Sequence, residues 1–217
     1  MLEAKLSKKQ IPEVYAGKAA VYDIWGKLTE TKAQQRCLEL AAIQDGEDVL
    51  EVAVGTGLTF QRILQQNRSG RNEGIDLTEA MLSQARQKAE RTGASNYRLR
   101  LGDAYSLDFP DESFDLVINN YMFDLLPEED FATILGEFNR VLRPGGRMVL
   151  VNMGQNGRWY NKIWDIIYRI QPSWLGGCRG VSLLEYVQAA GFMQASREFI
   201  SQMSFPSEVV YGLKPEV

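Results

Sequence analysis

Two glycines one residue apart, Gly55 and Gly57, end a hydrophobic run in the segment DVLEVAVGTGLTF, residues 48–60. A helix that begins directly after a strand has unpaired backbone N–H groups, and glycines there let a ligand approach without a Cβ in the way. The two glycines match the first two positions of a dinucleotide fingerprint, but the third position holds Phe60. That large side chain argues against an NAD site. A plain strand-to-helix turn remains the alternative for a G-x-G pair alone.

Two aspartates strengthen the interpretation of this glycine turn as part of a ligand-binding site. Asp76 ends the next strand-like run, where a carboxylate can accept hydrogen bonds from both ribose hydroxyls. Asp103, in LGDAYSL, ends the third run, where a carboxylate or its flanking backbone can meet an adenine edge. Each aspartate alone also fits a solvated cap or turn. Open α/β sheets bind ligands at this edge, so the three features together predict a nucleoside site.

The composition excludes several classes of site. The chain of 217 residues contains no histidine, which excludes an imidazole base, a Ser-His-Asp triad and a His-ligated metal. Cys37 and Cys178 lie far apart, so neither a disulfide framework nor a metal site is indicated. A net charge of −4 disfavours a broad nucleic-acid interface. No apolar stretch has the length of a membrane span, and the first ten residues lack the apolar core of a signal peptide. We therefore expect a cytoplasmic protein.

The elements that must position these residues alternate between strand-like and helical patterns. This alternation predicts a mostly parallel sheet with helices on both faces, in one domain. Thr78 is placed to cap the second of these helices, and Gly93 to end it. Predicted strands are 48–54, 72–76, 97–102, 114–120 and 147–153, and predicted helices lie near 58–67, 78–92 and 127–142.

Both ends of the chain add elements to this core. An amphipathic segment precedes the sheet, with Thr31 and Gln34 at the spacing of a capping box and Cys37 on the apolar face as a small core residue. The last residues contain two strand candidates joined through Phe205 and Pro206, which predicts a hairpin at one sheet edge.

Four blocks of sequence together resemble class I S-adenosylmethionine-dependent methyltransferases, and most closely the branch of ubiquinone and menaquinone biosynthesis methyltransferases and bacterial phosphatidylethanolamine N-methyltransferases. The resemblance covers about residues 45–153. It implies a Rossmann-like, three-layer α/β sandwich with a mostly parallel seven-stranded sheet and a C-terminal antiparallel hairpin. It also implies S-adenosylmethionine as cofactor and S-adenosylhomocysteine as product. The blocks are VLEVAVGTGL, EGIDLTEAML, GDAYSLDFPDESFDLVINNY and RVLRPGGRMVLVN.

We expect a single domain, 1–217, that is divided into four segments. These are a helical cap (residues 1–44), the cofactor-binding core (45–153), an aromatic-rich segment on the acceptor side (154–190) and the hairpin (191–217).

The resemblance also implies roles for single residues. One departure from the family is Ala53, which stands where glycine is more frequent, so we expect a modest narrowing of the pocket. The implied cofactor residues are Glu51, Ala53, Val54, Gly55, Thr56 and Gly57 beside the methionine moiety, Asp76 at the ribose, Leu77, Met81, Gly102, Asp103 and Ala104 around the adenine, and Asn119, Asn120 and Tyr121 facing the methyl group.

The chemistry of such a site makes modest demands on the protein. A sulfonium methyl group is already activated, so the enzyme holds the acceptor in line with it and excludes water. A carbon or hydroxyl acceptor would benefit from a base, and the candidates are Tyr121 and Asp124. Asp124 as an ordinary loop carboxylate is the alternative.

Aromatic segments on both sides of the core suggest a lipophilic acceptor. We place Tyr22, Trp159 and Tyr160 near the acceptor, while Arg179 could meet an anionic head group. Core packing for the aromatic residues and a flexible turn around Arg179 are the alternatives. The predicted function is methyl transfer to a quinone precursor or a lipid amine, with peripheral membrane contact as an option. A small soluble amine or hydroxyl acceptor, and a non-catalytic adenosyl-cofactor-binding protein, stay open.

Overall fold

The computed structural model describes residues 28–155, 164, 166, 168–170 and 177–216. The predictions for Tyr22, Trp159 and Tyr160 lie outside the described residues, as does most of the proposed N-terminal cap. The division into four functional segments therefore stays a prediction. None of the helices within the described ranges is long and apolar enough to cross a membrane.

Seven strands form one mixed sheet with the order β3-β2-β1-β4-β5-β7-β6. The first five are parallel, and β7 runs antiparallel to both β5 and β6. This confirms the class I arrangement with a C-terminal hairpin. The strands are β1 (Asp48–Val52), β2 (Arg71–Asp76), β3 (Tyr97–Leu101), β4 (Phe114–Asn120), β5 (Leu142–Met153), β6 (Met193–Gln202) and β7 (Phe205–Leu213).

Helices cover both faces of the sheet because its strands bury apolar side chains on each side. Val49 of β1 packs with Cys37 and Phe60 on one face, whereas Leu50 packs with Phe138 on the other. The predicted core position of Cys37 is confirmed, since its side chain is fully buried. Among the described residues, the α-helices with defined bounds are α1 (Thr31–Ala41), α2 (Leu58–Gln66), α3 (Glu79–Glu90), α4 (Phe131–Val141) and α5 (Leu184–Ala189).

The structure corrects two local predictions and confirms a third. The capping box is wrong: Thr31 is already helical, Glu30 is the N-cap residue, and the Gln34 amide donates to the Glu30 carboxylate instead. The hairpin turns at residues 203–204, both with positive φ, so that Phe205 already belongs to β7. At the start of α3 the Thr78 hydroxyl accepts from the Met81 amide, which confirms the predicted cap.

Candidate active site

A pocket lies where β1, β2 and β4 end, at the carboxyl edge of the parallel strands. This is the edge at which open α/β sheets bind ligands. Most of the sequence-predicted cofactor residues meet there. Those on the pocket wall are Glu51, Ala53, Val54, Gly55, Thr56, Asp76, Leu77, Met81, Gly102, Asp103, Ala104, Asn120 and Tyr121.

The turn after β1 forms part of the pocket wall, and its backbone conformation leaves space for a ligand. Gly55 has φ 56° and its N–H donates to Asp76 Oδ2 over 2.9 Å. Ala53, also on the wall, has φ 58°, a left-handed conformation that a side chain makes costly. Glycine, which is more frequent at this position in the family, would avoid that cost. Ala53 therefore differs from the family's glycine in backbone strain as well as in the expected narrowing of the pocket.

Gly57 lies away from the pocket wall, which differs from its predicted place against the cofactor. It has φ 83°, and a Cβ there would stand 2.8 Å from Ala85 Cα. The glycine therefore permits close approach between the start of α2 and α3. Gly57 thus allows the two helices to pack closely, although the third fingerprint position holds Phe60 instead of glycine.

We expect Gly57→Ala to destabilise the protein by about 2 to 4 kcal/mol, from left-handed strain and overpacking against Ala85. Gly55→Ala is the matched control, because its φ is also positive but its Cβ would meet no atom of the described residues within 4 Å. Urea unfolding of both variants measures the difference. Equal losses of stability would show that the Ala85 contact has no cost and would contradict the packing role.

Two buried carboxyl groups face the pocket from β1 and β2. Glu51 is 1 % exposed, and burial raises its pKa well above the usual value, since the Asn120 amide is a distant partner at 3.4 Å. Burial also raises the pKa of Asp76, although N–H groups of Gly55 and Thr78 oppose the shift. Buried carboxyl groups without a cationic partner favour a ligand that brings positive charge or N–H donors.

Glu51 Oε2 and Asn120 Oδ1 are buried and accept no hydrogen bond from any residue that the structure describes. Both residues lie on the pocket wall beside the glycine turn. A ligand that presents an ammonium group would satisfy both oxygen atoms. The donor set therefore fits the amino group of an amino-acid moiety at this end of the pocket.

The opposite end of the pocket follows β2 and β3. Leu77 and Met81 lie near Gly102, and a Cβ on Gly102 would stand 2.9 Å from Ile75 Cβ. Asp103 Oδ1 accepts from the Tyr105 amide, which fixes the turn after β3. This wall offers apolar surface and one carboxylate, a combination that suits a flat aromatic base bearing an exocyclic amino group.

Comparison with known proteins decides the type of domain. Residues 49–146 match the family model described as a methyltransferase domain. Residues 49–146 form a methyltransferase domain. The predicted family resemblance is thereby confirmed, and with it the expectation of an S-adenosylmethionine-dependent methyltransferase domain.

Curated relatives of this methyltransferase domain differ in the acceptors that they are named for. Phosphatidylethanolamine N-methyltransferase of Cereibacter sphaeroides is 39% identical over 135 residues, which are 61% of this chain and 63% of that protein. Demethylmenaquinone methyltransferase of Listeria welshimeri is 29% identical over 170 residues, 77% of this chain and 70% of that protein. The first match thus spans less than two thirds of the relative's length.

Solved structures show the same fold. A chain from the complex between the Haloferax volcanii Trm112 methyltransferase activator and a methyltransferase superposes with a TM-score of 0.76 at 18% identity. The match covers 94% of this chain and 97% of that chain.

Within the methyltransferase domain, three polar residues lie at the end of β4, namely Asn119, Asn120 and Tyr121. Asn119 is buried outside the pocket wall and donates to the Val52 carbonyl over 2.8 Å, so it joins β4 to β1 rather than facing the pocket. Tyr121 lies on the wall with φ 53°, and its hydroxyl shares a hydrogen bond of 2.8 Å with Ser207 Oγ. Burial raises the pKa of Tyr121 well above 10. Its phenol thus stays protonated and is poorly suited to the role of a base.

Asp124 and Arg179 lie behind the pocket wall instead of on it, which differs from their predicted roles. Asp124 Oδ2 accepts from the Met153 amide over 3.0 Å, and burial raises the pKa of Asp124 to about 7 against the opposing effect of Arg179. The Arg179 guanidinium donates to the Leu126 carbonyl, and its main-chain N–H donates to the Asp124 carbonyl. These contacts attach the segment around Arg179 to the loop after β4.

Two residues of the site were missed by reasoning from sequence. Glu30 and Gln34, at the start of α1, lie on the pocket wall. Burial raises the pKa of Glu30 to about 8, with a further contribution from the Asp124 carboxyl. The sequence carries no signal for Glu30, because an acid directly before an amphipathic helix is usually an exposed capping residue.

Proposed function

We propose that this chain transfers the methyl group of S-adenosylmethionine to a small, lipophilic acceptor. The observation that supports this most directly is the charge of the pocket. Among the described residues that line it are four carboxylic acids, Glu30, Glu51, Asp76 and Asp103, and no lysine or arginine. A ligand with a sulfonium and an ammonium group is attracted by such a wall, whereas the pyrophosphate of a dinucleotide is repelled.

The residues present fit S-adenosylmethionine at both ends. Glu51 and Asn120 would accept from its ammonium group, Asp76 would hold the ribose hydroxyls, and Asp103 with Leu77 and Met81 would bind the adenine. When bound, S-adenosylmethionine supplies an activated methyl group. The chain's own contribution is to orient the acceptor on the Tyr121 side and to keep water out with buried apolar side chains.

The acceptor side of the pocket is largely apolar. Met122, Leu125 and Leu126 follow Tyr121 along its wall, and all three are buried. This surface suits a lipophilic acceptor. The two relatives are named for a lipid amine and a quinone precursor, and both acceptor classes fit an apolar wall.

A transfer assay with labelled S-adenosylmethionine tests the proposal. Micelles of phosphatidylethanolamine and a prenylated naphthohydroquinone serve as the two acceptor probes, with ethanolamine as the soluble amine. We expect S-adenosylhomocysteine to form with at least one lipophilic probe and to a smaller extent with ethanolamine. Cofactor binding without transfer to any probe would favour the non-catalytic alternative.

A further inference from the structure

We propose that the Glu30 carboxylate binds a protonated amine on the methyl acceptor and takes its proton before transfer, which makes the acceptor an amine. This inference rests on the proposed function and narrows it to one substrate class. The bases predicted from the sequence are Tyr121 and Asp124, and Glu30 is not among them.

Glu30 is held at the pocket by the start of α1. Its side chain is 4 % exposed, and both Glu30 and Gln34 lie on the wall. The Gln34 amide donates to Glu30 Oε2 over 3.4 Å, which orients the carboxyl group. The main-chain bond from Gln34 N–H to the Glu30 carbonyl, 2.9 Å, fixes the first helical turn.

The β6–β7 hairpin places Glu30 on the acceptor side of the pocket. Lys32 N–H donates to Gln202 Oε1 over 2.8 Å, and Gln202 Nε2 donates to the Leu28 carbonyl over 2.8 Å. The same hairpin holds Tyr121 through Ser207 Oγ at the start of β7. Glu30 and Tyr121 are thus attached to one hairpin, at the end of the pocket where the methyl group would be presented.

Among the acids of the described lining residues, Glu30 is the one without a role in the proposed binding of S-adenosylmethionine. Glu51, Asp76 and Asp103 have partners in the proposed placement of S-adenosylmethionine, and each lies in a strand of the sheet or just after one. Glu30 comes from a different element. Since no lysine or arginine stands among the described lining residues, an ammonium group on the acceptor is the cation that can pair with it.

The step balances as a proton transfer followed by a displacement. The acceptor ammonium gives one proton to the Glu30 carboxylate, which becomes a neutral carboxylic acid. The freed nitrogen lone pair attacks the methyl carbon, the carbon–sulfur bond breaks, and its electron pair stays on sulfur as a neutral thioether. The product is an N-methylammonium ion, which retains the positive charge lost from the sulfonium.

The surroundings of Glu30 suit proton transfer near neutral pH. Burial and the nearby Asp124 carboxyl raise its pKa to about 8. A base is most effective when its pKa lies near the working pH. Asp124 lies behind the wall, so Glu30 is the carboxyl group of this pair that reaches the pocket.

The test compares Glu30→Gln with Glu39→Gln, which removes an exposed carboxylate from the same helix. The assays use phosphatidylethanolamine micelles and the prenylated naphthohydroquinone. We expect the wild type to methylate the amine probe. Glu30→Gln should lower kcat/KM for this probe at least about tenfold while S-adenosylhomocysteine affinity changes by less than about twofold. Glu39→Gln should match the wild type in both measurements.

Two outcomes would overturn the role of Glu30 while leaving the proposed function intact. One is an unchanged kcat/KM for the amine probe in Glu30→Gln. The other is methylation of the naphthohydroquinone alone, by wild type and Glu30→Gln alike. Failure of the proposed function has a different signature, because a wild type that binds no S-adenosylhomocysteine transfers nothing to either probe.

Discussion

Asp76→Ala is expected to weaken S-adenosylhomocysteine binding more than about tenfold, because charge-assisted hydrogen bonds contribute about 1.5 to 3 kcal/mol. Asp76 is 9 % exposed, lies on the pocket wall, and would accept from the ribose hydroxyls. The same carboxylate accepts from the amides of Gly55 and Thr78, each over 2.9 Å. The substitution therefore removes a ligand contact and releases the glycine turn.

Asp108→Ala is the matched control for this experiment. Asp108 also follows β3 along the chain, but its side chain is 96% exposed and pairs with Arg100 at the surface. We expect its calorimetric affinity for S-adenosylhomocysteine to equal that of the wild type. If Asp76→Ala keeps wild-type affinity too, Asp76 is a structural residue of the turn alone and the ribose assignment is wrong.

Glu30→Gln should make the protein more stable at pH 8 while lowering amine methylation. The pKa of Glu30 is about 8 in the folded chain against an ordinary value of 4.5. Between these values the folded state holds a proton that the unfolded state has released, so its stability falls as pH rises from about 4.5 to about 8. The neutral amide removes this loss.

Urea unfolding at pH 5 and pH 8 measures the effect. At pH 8 we expect Glu30→Gln to gain at least about 1.4 kcal/mol over the wild type, the equivalent of one pKa unit, and to gain little at pH 5. Glu208, whose pKa burial raises to about 7, keeps its own pH dependence in both proteins. Parallel stability curves for wild type and variant would contradict the raised pKa of the buried Glu30.

The parallel core was predictable because its signals are local. β1, β4 and the second half of β5 are apolar runs, and Thr78 caps its helix as the sequence indicates. The glycine turn and Asp76 come together because parallel strands present their carboxyl ends at one edge. These positions depend on the hydrophobic period of each element and on the order of the elements along the chain, and both can be read from the sequence.

Other parts of the site depend on packing that the letters do not contain. Gly57 differs from Gly55 only because α3 places Ala85 against it. Asp124 follows the loop after β4 into the interior, and Arg179 is hydrogen-bonded to that loop, so both side chains end behind the wall. Glu30 reaches the pocket because the β6–β7 hairpin binds the start of α1 from far along the chain. Such long-range contacts have no signature in one sequence.

A calorimetric titration of the purified protein with S-adenosylhomocysteine, with NAD as a parallel control, tests the central claim most directly. The acidic pocket and the glycine turn predict micromolar binding of S-adenosylhomocysteine and no heat from NAD. Binding of NAD, or of neither compound, would contradict the assignment of this pocket to S-adenosylmethionine.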